Sequence, residues 1–303
     1  MIYSGIIPPM ITPLKAWNEL DYKGTENLIE HILSGGVHGL FILGTTGEGT
    51  NLSYELRHEF IQLACRQING RVPVLVGITD TSLTESIKLS EHAAACGADA
   101  VVAAPPYYFT ANQNELLSYY ESLADKISLP LFLYNMPSHT KVSFEPETVK
   151  TLSEHSNITG FKDSSGDIIY FQKVTTLLKD AGDFSIFVGP EEILMHALLS
   201  RGHGGVNGGA NLFPELYVAM YNAVMGKDFE RMQILQKLIL EISSNLYTIG
   251  DSPVKYLQGL KCALSVTGLC SDELTAPFEA FKGAEKEKVE KLLQNINIGE
   301  VLS

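Results

Sequence analysis

The chain has 303 residues, 45% of them hydrophobic, and a formal net charge of −13. That length suits one large α/β domain with an appendage, and no stretch approaches the roughly 18 uninterrupted apolar residues of a membrane span. A chain this acidic, without a Lys/Arg run, is a poor partner for nucleic acid, because it repels phosphate.

Met1-Ile2-Tyr3-Ser4-Gly5 places no basic stretch before an apolar block, so it does not read as a signal peptide. The four cysteines, Cys65, Cys96, Cys262 and Cys270, form no C-x-x-C pair and have no histidine cluster beside them. Neither a disulfide framework nor a zinc site is expected. They read as small core residues in a reducing cytoplasm.

In chain order, short β-rich apolar runs alternate with longer amphipathic segments. Strands are expected over 5–12, 37–43, 72–77, 98–104, 129–135, 158–163, 184–189 and 204–208. Helices are expected over 22–35, 53–69, 82–96, 112–127, 144–155, 167–180, 190–200 and 214–226. The strand runs do not alternate with polar residues, as suits parallel strands covered on both faces. Ser53 and Asn112 stand where helix caps are needed, and Asn112 has Glu115 at capping-box spacing. Pro214 falls in a first helical turn, and Gly35-Gly36, Gly70, Gly97 and Gly182 fall near helix ends.

Eight such units closing on themselves make a (β/α)8 TIM barrel; an open doubly wound sheet is the alternative and usually has fewer units. After residue 226 the strand patterns stop. The division expected is a barrel over 1–227 and a helical C-terminal region over 228–303, with apolar helical positions in 232–242, 253–264 and 285–293.

In a barrel, reactive residues lie at the C-terminal ends of strands. There the sequence carries Gly44-Thr45-Thr46-Gly47-Glu48-Gly49, Pro105-Pro106-Tyr107-Tyr108, Tyr134-Asn135-Met136-Pro137-Ser138-His139, Gly160-Phe161-Lys162-Asp163, Val188-Gly189-Pro190-Glu191 and Gly204-Gly205-Val206-Asn207-Gly208-Gly209. Lys162 ends an apolar strand, which aims its amine into the barrel. Desolvation disfavours an ammonium ion, so such an amine is available as a nucleophile. With a ketone it forms an iminium, an electron sink that permits bond making or breaking at the α-carbon. Position alone equally permits a lysine that reaches solvent or pairs with Asp163.

Tyr134 shifts the balance. It ends the neighbouring strand, and a phenol there can carry protons for the amine. Thr45 and Thr46 supply hydroxyls on a glycine-flanked turn whose N–H groups can meet a carboxylate. That turn lacks the Gly-Lys-Ser/Thr ending of a nucleotide-binding loop. Gly204 to Gly209 could hold a phosphate, but a backbone wall around a small ligand is the preferred reading. His139 is either a contact for the distal end of a substrate or a solvent-facing loop residue. Glu48 is expected to anchor its own turn through backbone hydrogen bonds.

These segments, short singly but ordered at strand ends, resemble the dihydrodipicolinate synthase / N-acetylneuraminate lyase family over nearly the whole chain. The resemblance implies a Schiff base between Lys162 and pyruvate or a related 2-keto acid, with Tyr134 as the central proton carrier. Thr46 would link Tyr134 to Tyr108, contributed by a second subunit in a dimer of dimers. Thr45 and Thr46 would bind the keto-acid carboxylate, with Gly47 in the same turn. Gly189 and Val206 would line the pocket through their backbones. The partners implied are a 2-keto acid and an aldehyde; no cofactor and no metal is implied.

One departure matters. In dihydrodipicolinate synthases the position of His139 is an arginine that grips the second substrate's carboxylate, and histidine cannot reproduce that bidentate fork. Thr140-Lys141 also departs from the usual Thr-Gly. The expectation is therefore a lyase or aldolase acting on pyruvate or a 2-keto-3-deoxy acid. 4-Hydroxy-tetrahydrodipicolinate synthase and a 2-keto-3-deoxy sugar acid dehydratase are the alternatives.

Overall fold

A computed structural model describes residues 2–302. Its main sheet is parallel, built from β1 (Gly5–Ile6), β4 (Leu40–Ile42), β5 (Val74–Gly77), β6 (Ala100–Ala103), β7 (Leu131–Asn135), β8 (Ile158–Asp163), β9 (Ser185–Val188) and β10 (Gly204–Gly205). The numbering leaves room for an antiparallel hairpin of β2 (Leu14–Ala16) and β3 (Glu19–Leu20), which the sequence pattern did not announce. The two ends of the sheet meet. Phe41 donates to Pro8 O at 2.9 Å and accepts from Met10 N–H at 2.8 Å, and His38 N–H donates to Ile6 O at 2.8 Å. The sheet is thus a closed eight-stranded barrel, as the eight β/α units require.

The first strand is shorter than expected. Pro8 and Pro9 have no N–H to donate, so the ladder fades after Ile6 although the chain runs on beside Phe41. The last strand is also short, because residues 208–211 turn into a 3-10 helix (Gly208–Asn211). Asn211 fixes that turn by donating to Pro9 O and Gly208 O and accepting from Ile11 N–H.

Around the barrel lie α1 (Tyr22–Ser34), α2 (Tyr54–Ile68), α3 (Leu83–Ala95), α4 (Gln113–Ala124), α5 (Pro137–Thr140), α6 (Pro146–Ser153), α7 (Ile168–Leu177), α8 (Leu194–Leu199) and α9 (Pro214–Met225). Ser53 caps α2 through Leu56 N–H, and Asn112 with Glu115 forms a reciprocal capping box on α4. Gly97 takes the left-handed conformation after α3 (φ 86°), and of the pair after α1 it is Gly36 (φ 76°), not Gly35 (φ −75°), that does so. The one-turn helix α5, just past β7, falls in a segment read from sequence as a strand-end loop.

The apolar side chains form two groups. Tyr3, Ile7, Phe41, Phe132, Tyr134 and Phe187 fill the barrel interior. A larger group lies between the sheet and the helices, and the C-terminal residues Leu235, Ile239, Leu260 and Leu264 belong to it. They come from α10 (Phe229–Leu246) and α11 (Lys255–Val266), followed by α12 (Ala284–Asn295) and α13 (Ile298–Leu302). α10 packs on α9, and α11 packs against the 3-10 turn at Gly208. No helix among the described residues is long and apolar enough to cross a membrane.

Candidate active site

Register brings the two candidate residues together. Tyr134 of β7 is directly opposite Lys162 of β8, and Lys162 is opposite Phe187 of β9. All three face the barrel interior. Gly160, two residues before Lys162, lacks a side chain because the Phe132 ring fills its space; a Cβ there would lie 2.1 Å from that ring. The Lys162 side chain is 6% exposed. Its amine stands 4.0 Å from the centroid of the Tyr134 ring and 5.2 Å from that of Phe41, against aromatic faces that attract a cation.

Asp163 does not pair with Lys162. Its carboxylate is turned out of the barrel, where it accepts from Asn135 Nδ2 at 2.8 Å and from the Ser165 hydroxyl at 2.9 Å. Burial raises its pKa from the ordinary carboxylate value, against those hydrogen bonds. Among the described residues no carboxylate forms an ion pair with Lys162.

The two threonines divide the work differently from the sequence expectation. The hydroxyl 3.1 Å from Tyr134 Oη belongs to Thr45, not Thr46. Thr46 Oγ1 instead lies 3.3 Å from the hydroxyl of Tyr256, from α11. The one-residue step along the turn explains this, since adjacent side chains leave a tight turn in different directions. The N–H groups of Thr45, Thr46 and Gly47 donate to no group among the described residues. Successive free amides of this kind favour an anion.

The turn itself is built without spare room. Leu43 takes φ 57° and Glu48 φ 53°, both unusual for side-chain-bearing residues. The carbonyl oxygen of Leu43 lies where a Cβ would stand on Gly49 (2.1 Å) and on Gly77 (2.2 Å). Gly47 is held by Thr12, whose hydroxyl donates to Gly47 O at 2.6 Å, and a Cβ on it would meet Met10 O at 2.9 Å.

Glu48 anchors its own turn through its backbone, donating to Thr45 O at 3.0 Å and accepting from Asn51 N–H at 2.8 Å, and its side chain reaches beyond that turn. Its carboxylate accepts from Thr275 N–H at 2.8 Å and the Thr275 hydroxyl at 2.7 Å, and it forms an ion pair with Lys261. The turn is therefore fastened to the C-terminal helices.

Of the other residues singled out, Val206 has its side chain in the barrel interior and its N–H on Val188 O. Gly189 has both backbone groups occupied: its N–H donates to Asp163 O at 2.7 Å and its carbonyl accepts from Asn207 Nδ2 at 2.8 Å. His139 lies on the exposed side of α5 with Nδ1 2.9 Å from the Ser138 hydroxyl. Desolvation first, and the Lys141 ammonium second, hold its ring below the usual imidazole range. Tyr108 is 78% exposed with its ring against Phe109, and within the chain no hydrogen bond among the described residues joins it to Thr45, Thr46 or Tyr134.

Tyr256 escaped the sequence reading, and Glu191 stood there only as the end of the segment Val188-Gly189-Pro190-Glu191, without a role. Glu191 is buried against Gly209, accepting from the hydroxyls of Tyr217 (2.5 Å) and Tyr247 (2.9 Å) and from Gly209 N–H (2.9 Å). Burial pushes its carboxyl up to about 7, while those donors pull it down. Desolvation, and next the charge of Glu191, raise the Tyr256 phenol. No short motif marks either residue; only the packing of the C-terminal helices brings Tyr256 to the barrel mouth. Among the described residues no group of three or more His, Cys, Asp or Glu is placed to hold a metal ion.

Comparison with known proteins identifies the family. Residues 2–296 match the model of the dihydrodipicolinate synthetase family. The structure of dihydrodipicolinate synthase from Bacteroides thetaiotaomicron is 54% identical, covers 97% of this chain and 99% of its own, and superposes with a TM-score of 0.95. YagE from Escherichia coli K12, a member of the dihydrodipicolinic acid synthase family solved in complex with pyruvate, is 32% identical with a TM-score of 0.92, over 97% and 98% of the two chains. YjhH of the same organism, named as a probable 2-dehydro-3-deoxy-D-pentonate aldolase, is 34% identical over 96% of each chain. Matched over 96–97% of its length by proteins named as synthases and aldolases, the chain is a lyase of the aldolase type and belongs to the dihydrodipicolinate synthetase family.

Proposed function

We propose that Lys162 forms a Schiff base with pyruvate, or with the pyruvate-derived end of a 2-keto-3-deoxy acid, and that the enzyme makes or breaks a carbon–carbon bond through that iminium. The observation that carries this reading is the buried Lys162 amine held 4.0 Å from the Tyr134 ring, with no carboxylate to hold it as a spectator ion pair. The amine attacks the keto carbon. Tyr134 shuttles the proton needed to expel water from the carbinolamine, and its partner hydroxyl is Thr45. The keto-acid carboxylate takes the free N–H groups of Thr45, Thr46 and Gly47. His139 and the backbones of Gly189 and Val206 face the remainder of the substrate.

Two exposed aromatic residues, Tyr108 and Phe109, support assembly into a homotetramer in which Tyr108 enters a second copy's site. A reducing cytoplasm suits the four free thiols. Histidine at 139 favours a sugar-derived 2-keto-3-deoxy acid as substrate. The 54% identity to a protein named dihydrodipicolinate synthase favours the second reading, condensation of pyruvate with aspartate semialdehyde.

Borohydride reduction in the presence of pyruvate tests the common step. One reduced pyruvate attached at Lys162, and none in Lys162→Ala, is expected. Wild-type protein that stays unmodified rules the Schiff base out. A panel of aldehydes with pyruvate then separates the two readings.

A further inference from the structure

Helix α11 grips the turn after β4 at two points. Lys261 pairs with Glu48 in the interior, and Tyr256 brings its hydroxyl to Thr46. The Tyr256 ring packs against the apolar group between the sheet and the helices. Gly208 opens the 3-10 turn that follows the last strand, one residue past Asn207, whose side chain donates to Gly189 O.

Position 208 is a glycine, and the Tyr256 phenol occupies the room this leaves. A Cβ on Gly208 would lie 1.6 Å from the Tyr256 hydroxyl. Gly208 does not have a positive φ, so its backbone does not call for glycine; the phenol does. The phenol is fixed from behind. Its ring meets that of Tyr247 edge-on with centroids 4.7 Å apart, and Tyr247 donates to Glu191. Glu191 in turn accepts from Gly209 N–H, the residue next to Gly208. The ring, the glycine and the carboxylate form one packed unit that ends on a single polar contact, the Thr46 hydroxyl.

We propose that Tyr256 is a positioning residue for the keto-acid carboxylate: by holding the Thr46 side chain, it sets the Thr45-Thr46-Gly47 turn so that its free N–H groups converge on the carboxylate. The proposal rests on the Schiff-base reading of Lys162. It assigns Tyr256 no proton transfer, which belongs to Tyr134 beside the amine. It gives the C-terminal helices a direct part in binding, with Gly208 left small to admit the phenol.

The test is borohydride trapping on Lys162 measured against pyruvate concentration for wild type, Tyr256→Phe, Gly208→Ala and the double variant. Tyr256→Phe keeps the ring and its packing on Tyr247. It is expected to reach the same limiting rate of trapping, but with half-maximal trapping at about three- to tenfold more pyruvate, the worth of one hydrogen bond. Gly208→Ala places a methyl against the phenol and is expected to raise the half-maximal concentration similarly. Since both changes break one contact, the double variant should exceed the worse single by less than about twofold. An unchanged half-maximal concentration in Tyr256→Phe overturns the proposal, as does a fall in limiting rate alone, which would place Tyr256 in the chemistry. Simple additivity of the two variants also overturns it. If wild-type protein traps no pyruvate, the Schiff-base reading fails and takes this proposal with it.

Discussion

Glu48 of the turn after β4 and Lys261 of α11 form an ion pair in which neither side chain reaches solvent: Lys261 is 0% and Glu48 2% exposed. Lys261 also donates to Glu273 O at 2.7 Å, so both charges carry further hydrogen bonds. The pair locks the turn that bears Thr45 and Thr46 onto the C-terminal helices.

Removing one member leaves the other charged and buried. Lys261→Met keeps most of the volume but leaves the Glu48 carboxylate with the Thr275 donors alone. The expected loss of stability is about 3–5 kcal/mol, read as a lower urea midpoint with an unchanged slope. A loss within the roughly 0–1 kcal/mol of a surface pair would mean that water reaches Glu48 in solution.

The pairing of Thr45 with Tyr134 separates the two threonines by experiment. Tyr134→Phe is expected to slow turnover by about two to four orders of magnitude, as loss of a general acid–base group does. Thr45→Val, which removes only the partner hydroxyl, should lower the turnover rate by about tenfold. Thr46→Val should instead act mainly on the pyruvate concentration needed. Steady-state kinetics with saturating aldehyde distinguishes these. Equal loss of turnover in both threonine variants would contradict the division seen in the hydrogen bonds.

The barrel was legible because eight apolar runs of fixed type can hardly pack otherwise, and Lys162 with Tyr134 stood out because polar groups ending apolar strands need a reason. The order of the threonines was not legible. Which of two adjacent hydroxyls turns inward depends on the left-handed residues Leu43 and Glu48, and neither has the glycine that marks such a conformation in sequence. The reach of the Glu48 side chain was not legible because its partners, Lys261 and Thr275, lie in a region whose placement no strand pattern announces. Tyr256 was invisible for the same reason. Its role follows from where α11 docks, and its only trace in the sequence is the glycine at 208.

His139 offers a direct test of substrate choice. An arginine there would present a planar fork to a carboxylate on the second substrate, whereas the imidazole, held below its usual range, presents a neutral ring at pH 7. His139→Arg is expected to raise activity toward aspartate semialdehyde with pyruvate and to lower it toward neutral sugar-derived aldehydes. Product formation with each aldehyde is the measurement. No change in either would mean that other side chains exclude the semialdehyde.

Glu191 makes stability depend on pH in a direction opposite to most carboxylates. Its carboxyl is raised from 4.5 to about 7, with burial as the largest cause and the Tyr217, Gly209 and Tyr247 donors opposing it. In the unfolded chain the same group ionises at the ordinary value. Between those limits the native state holds a proton that the unfolded state has released. The stability associated with this proton is therefore complete below about pH 4.5 and is lost as pH rises toward 7, by up to about 3 kcal/mol. Carboxylates such as Glu30, which the Arg71 guanidinium holds down at about 2, act the other way, so the total curve hides the effect. Comparison with Glu191→Gln isolates it. Urea midpoints of the two proteins, converted to free energies, should converge or cross as pH rises from 4.5 to 7.5, with wild type losing ground to the glutamine variant. A difference that stays flat over that range would mean that the three donors keep Glu191 ionised throughout. The carboxylate would then be a fixed charge against Gly209 rather than a titrating one.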